Sequence, residues 1–157
     1  MDIFYVNRIP FLITKGNKIN YITVSHLKNR NKKIIIKVIN MIKRTYLTRR
    51  FKCTDYHSDN EFDNDDIRLV LLPGQLQVCV KGEHVPRIER AVRTVKERCR
   101  STCHAIPYPK YNILMIMSLV QNMVKLLNAL PSKGGISEEM SPETIVTGAS
   151  KLDLNRK

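Results

Sequence analysis

The residue pattern changes its period part-way along the chain, and this change limits the possible folds more than any other feature. Between residues 2 and 24 the apolar groups come in short β-branched and aromatic clusters, at 3–6, 11–14 and 19–24. Asn7-Arg8 separates the first two, and Gly16-Asn17 is a hairpin turn signal ahead of the third. Three strands with tight connections predict an antiparallel meander. From residue 28 to 48 the spacing turns helical. Ile35, Val38, Ile39, Ile42 and Tyr46 share one face, while Lys32, Lys33, Lys37, Lys43 and Arg44 fall largely elsewhere.

Beyond this helix, residues 51–54 read as a short strand, and an acidic stretch fills 55–66. Residues 67–72 end a short helix before Pro73-Gly74, and 76–80 alternate as a strand. Residues 84–103 predict a strong helix whose apolar seam is Val85, Ile88, Val92, Val95 and Cys99. Another helix fills 111–130, closed by Pro131 and Gly134-Gly135. The expected order is β-β-β-α-β-α-β-α-α. It describes an α/β fold in which three antiparallel strands and further parallel strands form a mixed sheet with helices on both faces. A length of 157 residues suits one domain. Residues 1–130 are the expected core, and 131–157, sparse in apolar groups, the expected loosely packed tail.

Charge narrows the partners. Lys and Arg number 27 against 14 Asp and Glu, a formal net charge of +13. Such an excess raises the local concentration of polyanions and favours nucleic acid. The apolar stretch 113–130 is interrupted by Ser118, Gln121, Asn122, Lys125 and Asn128, which predicts a buried helix and no membrane partner. Cys53, Cys79, Cys99 and Cys103 read as reduced thiols of an intracellular protein.

Phosphoryl transfer on DNA commonly uses two divalent metals, and hard carboxylate oxygens suit Mg²⁺ or Mn²⁺. Asp2 opens the first strand, Asp59 follows the strand expected at 51–54, and Glu89 lies near the start of the strong helix. Glu89, Arg93, Lys96 and Arg100 are separated by four, three and four residues, so they share one helical stripe. A carboxylate followed by three cations along one stripe suits a metal site that opens onto a phosphate backbone. The plainer reading is a solvated face with ordinary i,i+4 pairing of Glu89 with Arg93.

Four segments together resemble the integrase catalytic core of copia-type retrotransposon polyproteins, in the retroviral-type DDE superfamily. They are DIFYVNRIPFLIT at 2–14, FKCTDYHSDNEF at 51–62, EHVPRIERAVRTVKERCRSTCHAIPY at 83–108 and LNALPSKGGISEEMSPETIVTG at 127–148. The family pattern has an Asp on the first strand, an Asp ahead of a Glu-Phe pair, and a Glu in a Glu-Arg pair opening a long helix. These map to Asp2, to Asp59 ahead of Glu61-Phe62, and to Glu89 ahead of Arg90.

The resemblance implies a ribonuclease H-like fold and 3′-end processing and strand transfer of element DNA. It further implies catalysis and metal binding by Asp2, Asp59 and Glu89 with Mg²⁺ or Mn²⁺, and DNA contacts by Arg90, Arg93, Lys96 and Arg100. The partners it implies are element ends and target DNA, with self-association and no small-molecule substrate, and a nuclear location for an active element. Asp2 directly follows Met1, so the chain reads as an N-terminally truncated piece of a larger polyprotein. Two other readings accompany this one: a catalytically inactive nucleic-acid-binding remnant of the same fold, and a basic structural or interaction protein.

Overall fold

The computed structural model describes residues 1–79, 86–108 and 110–149. It opens with the expected meander. Strands β1 (Asp2–Val6), β2 (Ile9–Lys15) and β3 (Ile22–His26) pair antiparallel in that order. Asn7 and Arg8 both take positive φ, 46° and 64°, the conformation that closes a two-residue hairpin without splaying its strands. The register sets Phe4 opposite Phe11 and Ile13 opposite Val24. The second connection is longer than the Gly16-Asn17 signal implies. It runs through Asn20 in the left-handed region, with Gly16 N–H donating to the Tyr21 carbonyl at 2.9 Å, so β3 starts at Ile22.

Helix α1 (Lys32–Leu47) starts at Asn31, whose side chain accepts from the Lys33 N–H at 3.2 Å. Its buried face is the predicted one: Ile35, Val38, Ile39, Ile42 and Tyr46. Residues 51–54 do not form the expected strand. Arg50 takes φ 60°, and the Phe51 N–H reaches back to the Tyr46 carbonyl at 3.1 Å. That bond is the closing turn of a helix end, so Phe51 belongs to the C-terminus of α1 and packs beside its last apolar residues. The strand, β4, lies later at Asp55–Ser58 and pairs parallel with β5 (Gln75–Val78), Ser58 opposite Val78. Between them lie a short 3₁₀ turn (Asn60–Phe62) and α2 (Asp65–Leu71). Gly74 is needed ahead of β5, because a Cβ there would stand 2.6 Å from the Tyr56 ring and 2.8 Å from the Cys53 carbonyl.

The two sheets meet at the start of β1, where the Met1 amino nitrogen donates to the His57 carbonyl at 2.5 Å. Helices α3 (Pro86–Ala105) and α4 (Ile113–Ala129) follow. Val85, part of the expected seam, lies outside the described residues, as do Val80 and His84.

Strand alternation sorts the core into two layers. Phe4, Phe11, Ile13 and Ile22 project to one side and pack with Ile88, Val95 and Cys99 of α3 and Val120 and Val124 of α4. Leu12 projects to the other side, into a layer with Leu27, Ile39, Phe62, Leu71 and Val146. Helices therefore cover both faces, as the sequence predicts.

Within the segment expected to be a loose tail, Pro142–Thr147 form a further helix, α5. Ser141 caps it by accepting from the Thr144 N–H at 3.1 Å, Gly148 ends it at φ 76°, and Val146 is fully buried. Apolar burial of that one side chain, worth about 2 kcal/mol, ties this part of the segment to α1 and α4. Residues 150–157 lie outside the described ones.

Candidate metal and nucleic-acid site

Asp2 and Phe4 are two residues apart on β1, so both face α3. Phe4 is buried against Phe11, ring centroids 5.6 Å apart. Asp2, at the strand's open end, remains only half-buried. Opposite it, α3 turns its charged stripe toward β1. Asp2, Phe4, Tyr5, Glu89, Arg93 and Lys96 line one open cleft of about 440 Å³, which Arg100 extends and Val92 floors. Lys96 is pinned along this wall, its Nζ 5.9 Å from the centre of the Phe4 ring.

Asp59 follows β4 and is not among the residues that line this cleft. It sits at the turn into the 3₁₀ segment in an extended conformation, φ −74° and ψ 167°, and its side chain does not cap that turn. The Glu-Phe pair that follows has a mechanical role. Phe62 is fully buried and anchors the turn. Glu61 is held by Arg30, whose Nε donates to Oε1 at 2.7 Å and whose terminal nitrogen bonds the same oxygen.

Burial pushes the Asp2 carboxyl above the ordinary carboxylate range, and the nearby charges of Asp59 and Glu61 add to that rise. A backbone hydrogen bond from Ile3 opposes it. The Met1 ammonium also opposes it, so positive charge near Asp2 favours its ionised form.

The structure brings Asp2, Glu89, Arg93, Lys96 and Arg100 to one cleft and sets Asp59 within electrostatic reach of Asp2. Arg90 is not among the cleft's residues. It lies on another side of α3, where its charge acts on Lys15. Among the described residues, no three His, Cys, Asp or Glu side chains are grouped tightly enough to hold a metal ion. The cleft's own acids, Asp2, Glu89 and Glu97, offer oxygen donors of the kind a hard divalent cation takes, with Asp59 outside the cleft lining. Sequence reasoning missed three contributors: Tyr5, Glu97 and the Arg30–Glu61 clamp. Glu97 was legible, because it lies four residues after Arg93 on the same helix.

Among solved structures, the chain resembles the catalytic core domain of BIV integrase, with a TM-score of 0.64 over 94% of this chain and 92% of that one. The fold is that of an integrase catalytic core. At 14% sequence identity the likeness speaks for the backbone and not for the side chains. No family model matches the sequence, and no curated protein matches it. In the integrase-core fold found here, no helix among the described residues is long and apolar enough to cross a membrane.

Proposed function

We propose that this chain is a DNA strand-transfer domain of the copia-type retrotransposon class, with Asp2, Asp59 and Glu89 as its metal-binding carboxylates. The observation that carries the reading is the shared cleft, where Asp2 and Glu89 open beside Arg93, Lys96 and Arg100. Carboxylates beside a cationic wall serve two halves of one reaction. The acids would hold Mg²⁺ or Mn²⁺, and the stripe would hold the phosphodiester backbone in register with them. When bound, the divalent ions would supply an activated oxygen nucleophile and stabilise the leaving 3′-oxygen.

The chain's own residues perform the rest. Arg93 and Arg100 would pair with non-bridging phosphate oxygens, and Lys96, braced on Phe4, would contribute a fixed point charge. Arg30 would neutralise Glu61, so that Asp2 and Asp59 carry the charge left to the metal. Residues 1–130 would form the reacting core, in a protein that works on element ends and target DNA as an assembly of several copies.

The test is Mn²⁺-dependent nicking and strand transfer on duplex oligonucleotides. Asp2→Asn, Asp59→Asn and Glu89→Gln should each abolish it while leaving DNA binding in place. Activity that survived all three substitutions would end the proposal. Salt-sensitive DNA binding by the parent chain without any cleavage would assign it instead as a DNA-binding remnant.

A further inference from the structure

A second cationic surface lies on the same helix, off the stripe that lines the cleft. Asn17, Lys18, Arg87, Gly134, Gly135 and Ile136 line a separate, shallower depression between the β2–β3 connection and the turn after α4. Arg87 spans it, donating from Nη1 to the Asn17 carbonyl at 2.8 Å and to the Asn17 side chain. Both bonds are to neutral acceptors, so they position the guanidinium without neutralising it. Gly134 sits in the left-handed region at φ 73°, and a Cβ there would meet no atom within 4 Å, so the turn's backbone is open to approach.

Lys15 borders this group at the end of β2. Burial lowers its pKa, and Arg87 and Arg90 lower it further. Four cations (Lys15, Lys18, Arg87 and Arg90) thus crowd together, with Lys133 in the adjoining Ser132–Gly135 turn. Clustered like charge of this kind opposes folding and is relieved by a polyanion.

We infer that the surface of Lys15, Lys18, Arg87 and Arg90 is a second seat for the phosphodiester backbone of duplex DNA, separate from the carboxylate cleft. The arrangement suits backbone contact without base reading. The cations are spaced over a helix and a loop, and the open Gly134-Gly135 turn lets a phosphate approach the main chain. A protein with two such seats can hold two duplex segments, or two stretches of one, on opposite flanks of α3. The inference does not need the carboxylates to be catalytic.

The test measures binding of the full chain to a short random-sequence duplex across a salt series. The variants are Lys18→Gln, Arg90→Gln and their double, each checked by thermal melting. Lys18 and Arg90 are exposed, and neither side chain is needed for the Arg87–Asn17 bond. Each single change should flatten the log-affinity against log-salt slope by about 0.9, and the double by about 1.8. A parallel Arg93→Gln/Lys96→Gln double probes the cleft. If only the Lys18/Arg90 pair alters the slope, the second seat stands and DNA binding at the cleft fails. If only the cleft pair does, with both proteins folded, the second seat is overturned.

Discussion

The α3–α4 side of the sheet and the α1–α2–α5 side are built alike in their interiors and differently at their margins. Each buries a continuous apolar layer, anchored by Phe11 and Val95 on one side and by Leu12 and Phe62 on the other. On the α1 side the apolar layer is closed off by α5 and the end of α1. On the α3 side it stops at Asp2 and gives way to a charged cleft. The contrast shows how one sheet can carry a closed apolar margin on one face and a charged cleft on the other.

The sharpest way to break the contrast is at the rim. Asp2→Asn should lower Mn²⁺-dependent strand cleavage by about a thousandfold, because a bound metal supplies several kcal/mol to the transition state. An equal loss from an exposed change on the other face, such as Lys37→Gln, would abolish the distinction. In the interior the faces should behave alike. Phe11→Ala should cost about 3–5 kcal/mol and Leu12→Ala about 2–5 kcal/mol in denaturant unfolding, since both side chains are fully buried. A large asymmetry there would show that one layer alone carries the fold.

A smaller effect concerns pH. The folded-state pKa of Asp2 is raised, so its contribution to stability is full below the ordinary carboxylate range and is lost as pH climbs through the raised value. Without metal, Asp2→Asn should therefore melt at or above the parent temperature at neutral pH and lose the parent's stability decline across that window. Mn²⁺ should raise the melting temperature of the parent more than that of the variant. A variant less stable than the parent at neutral pH in metal-free buffer would contradict the burial account of Asp2. The smallest expected change is a salt slope flatter by about 0.9 in Lys96→Gln, with stability nearly unaltered.

Much of this architecture was legible where local signals and long-range packing agree. The β1–β2 hairpin, the buried face of α1 and Ile88, Val95 and Cys99 of the α3 seam follow from spacing alone, whereas Val92 is only partly buried and Ala91 joins the buried face. The strand expected at 51–54 failed because Phe51 and Cys53 are apolar for another reason: they pack the end of α1 into the core. The actual strand, Asp-Tyr-His-Ser, carries no apolar alternation, and its pairing with β5 comes from a partner some twenty residues away. Helix α5 announced itself through Ser141-Pro142-Glu143 and Gly148, a cap, a first-turn proline and a stop, but sparse hydrophobicity masked it. In the site, the Glu89 stripe was readable from spacing. The separation of Arg90 from it was equally readable, because a neighbouring position on a helix turns by about 100°; the family resemblance grouped it with the stripe.

Asn128 looked like a blemish in an apolar helix, yet its side chain accepts from the Ile22 N–H at 2.9 Å and donates to the Ile22 carbonyl at 2.6 Å. It stands where the next strand would begin, meeting the first residue of β3 as a neighbouring backbone would. An incoming extended peptide finds that rung already taken, which blunts lateral growth of the sheet and edge-to-edge aggregation at that margin.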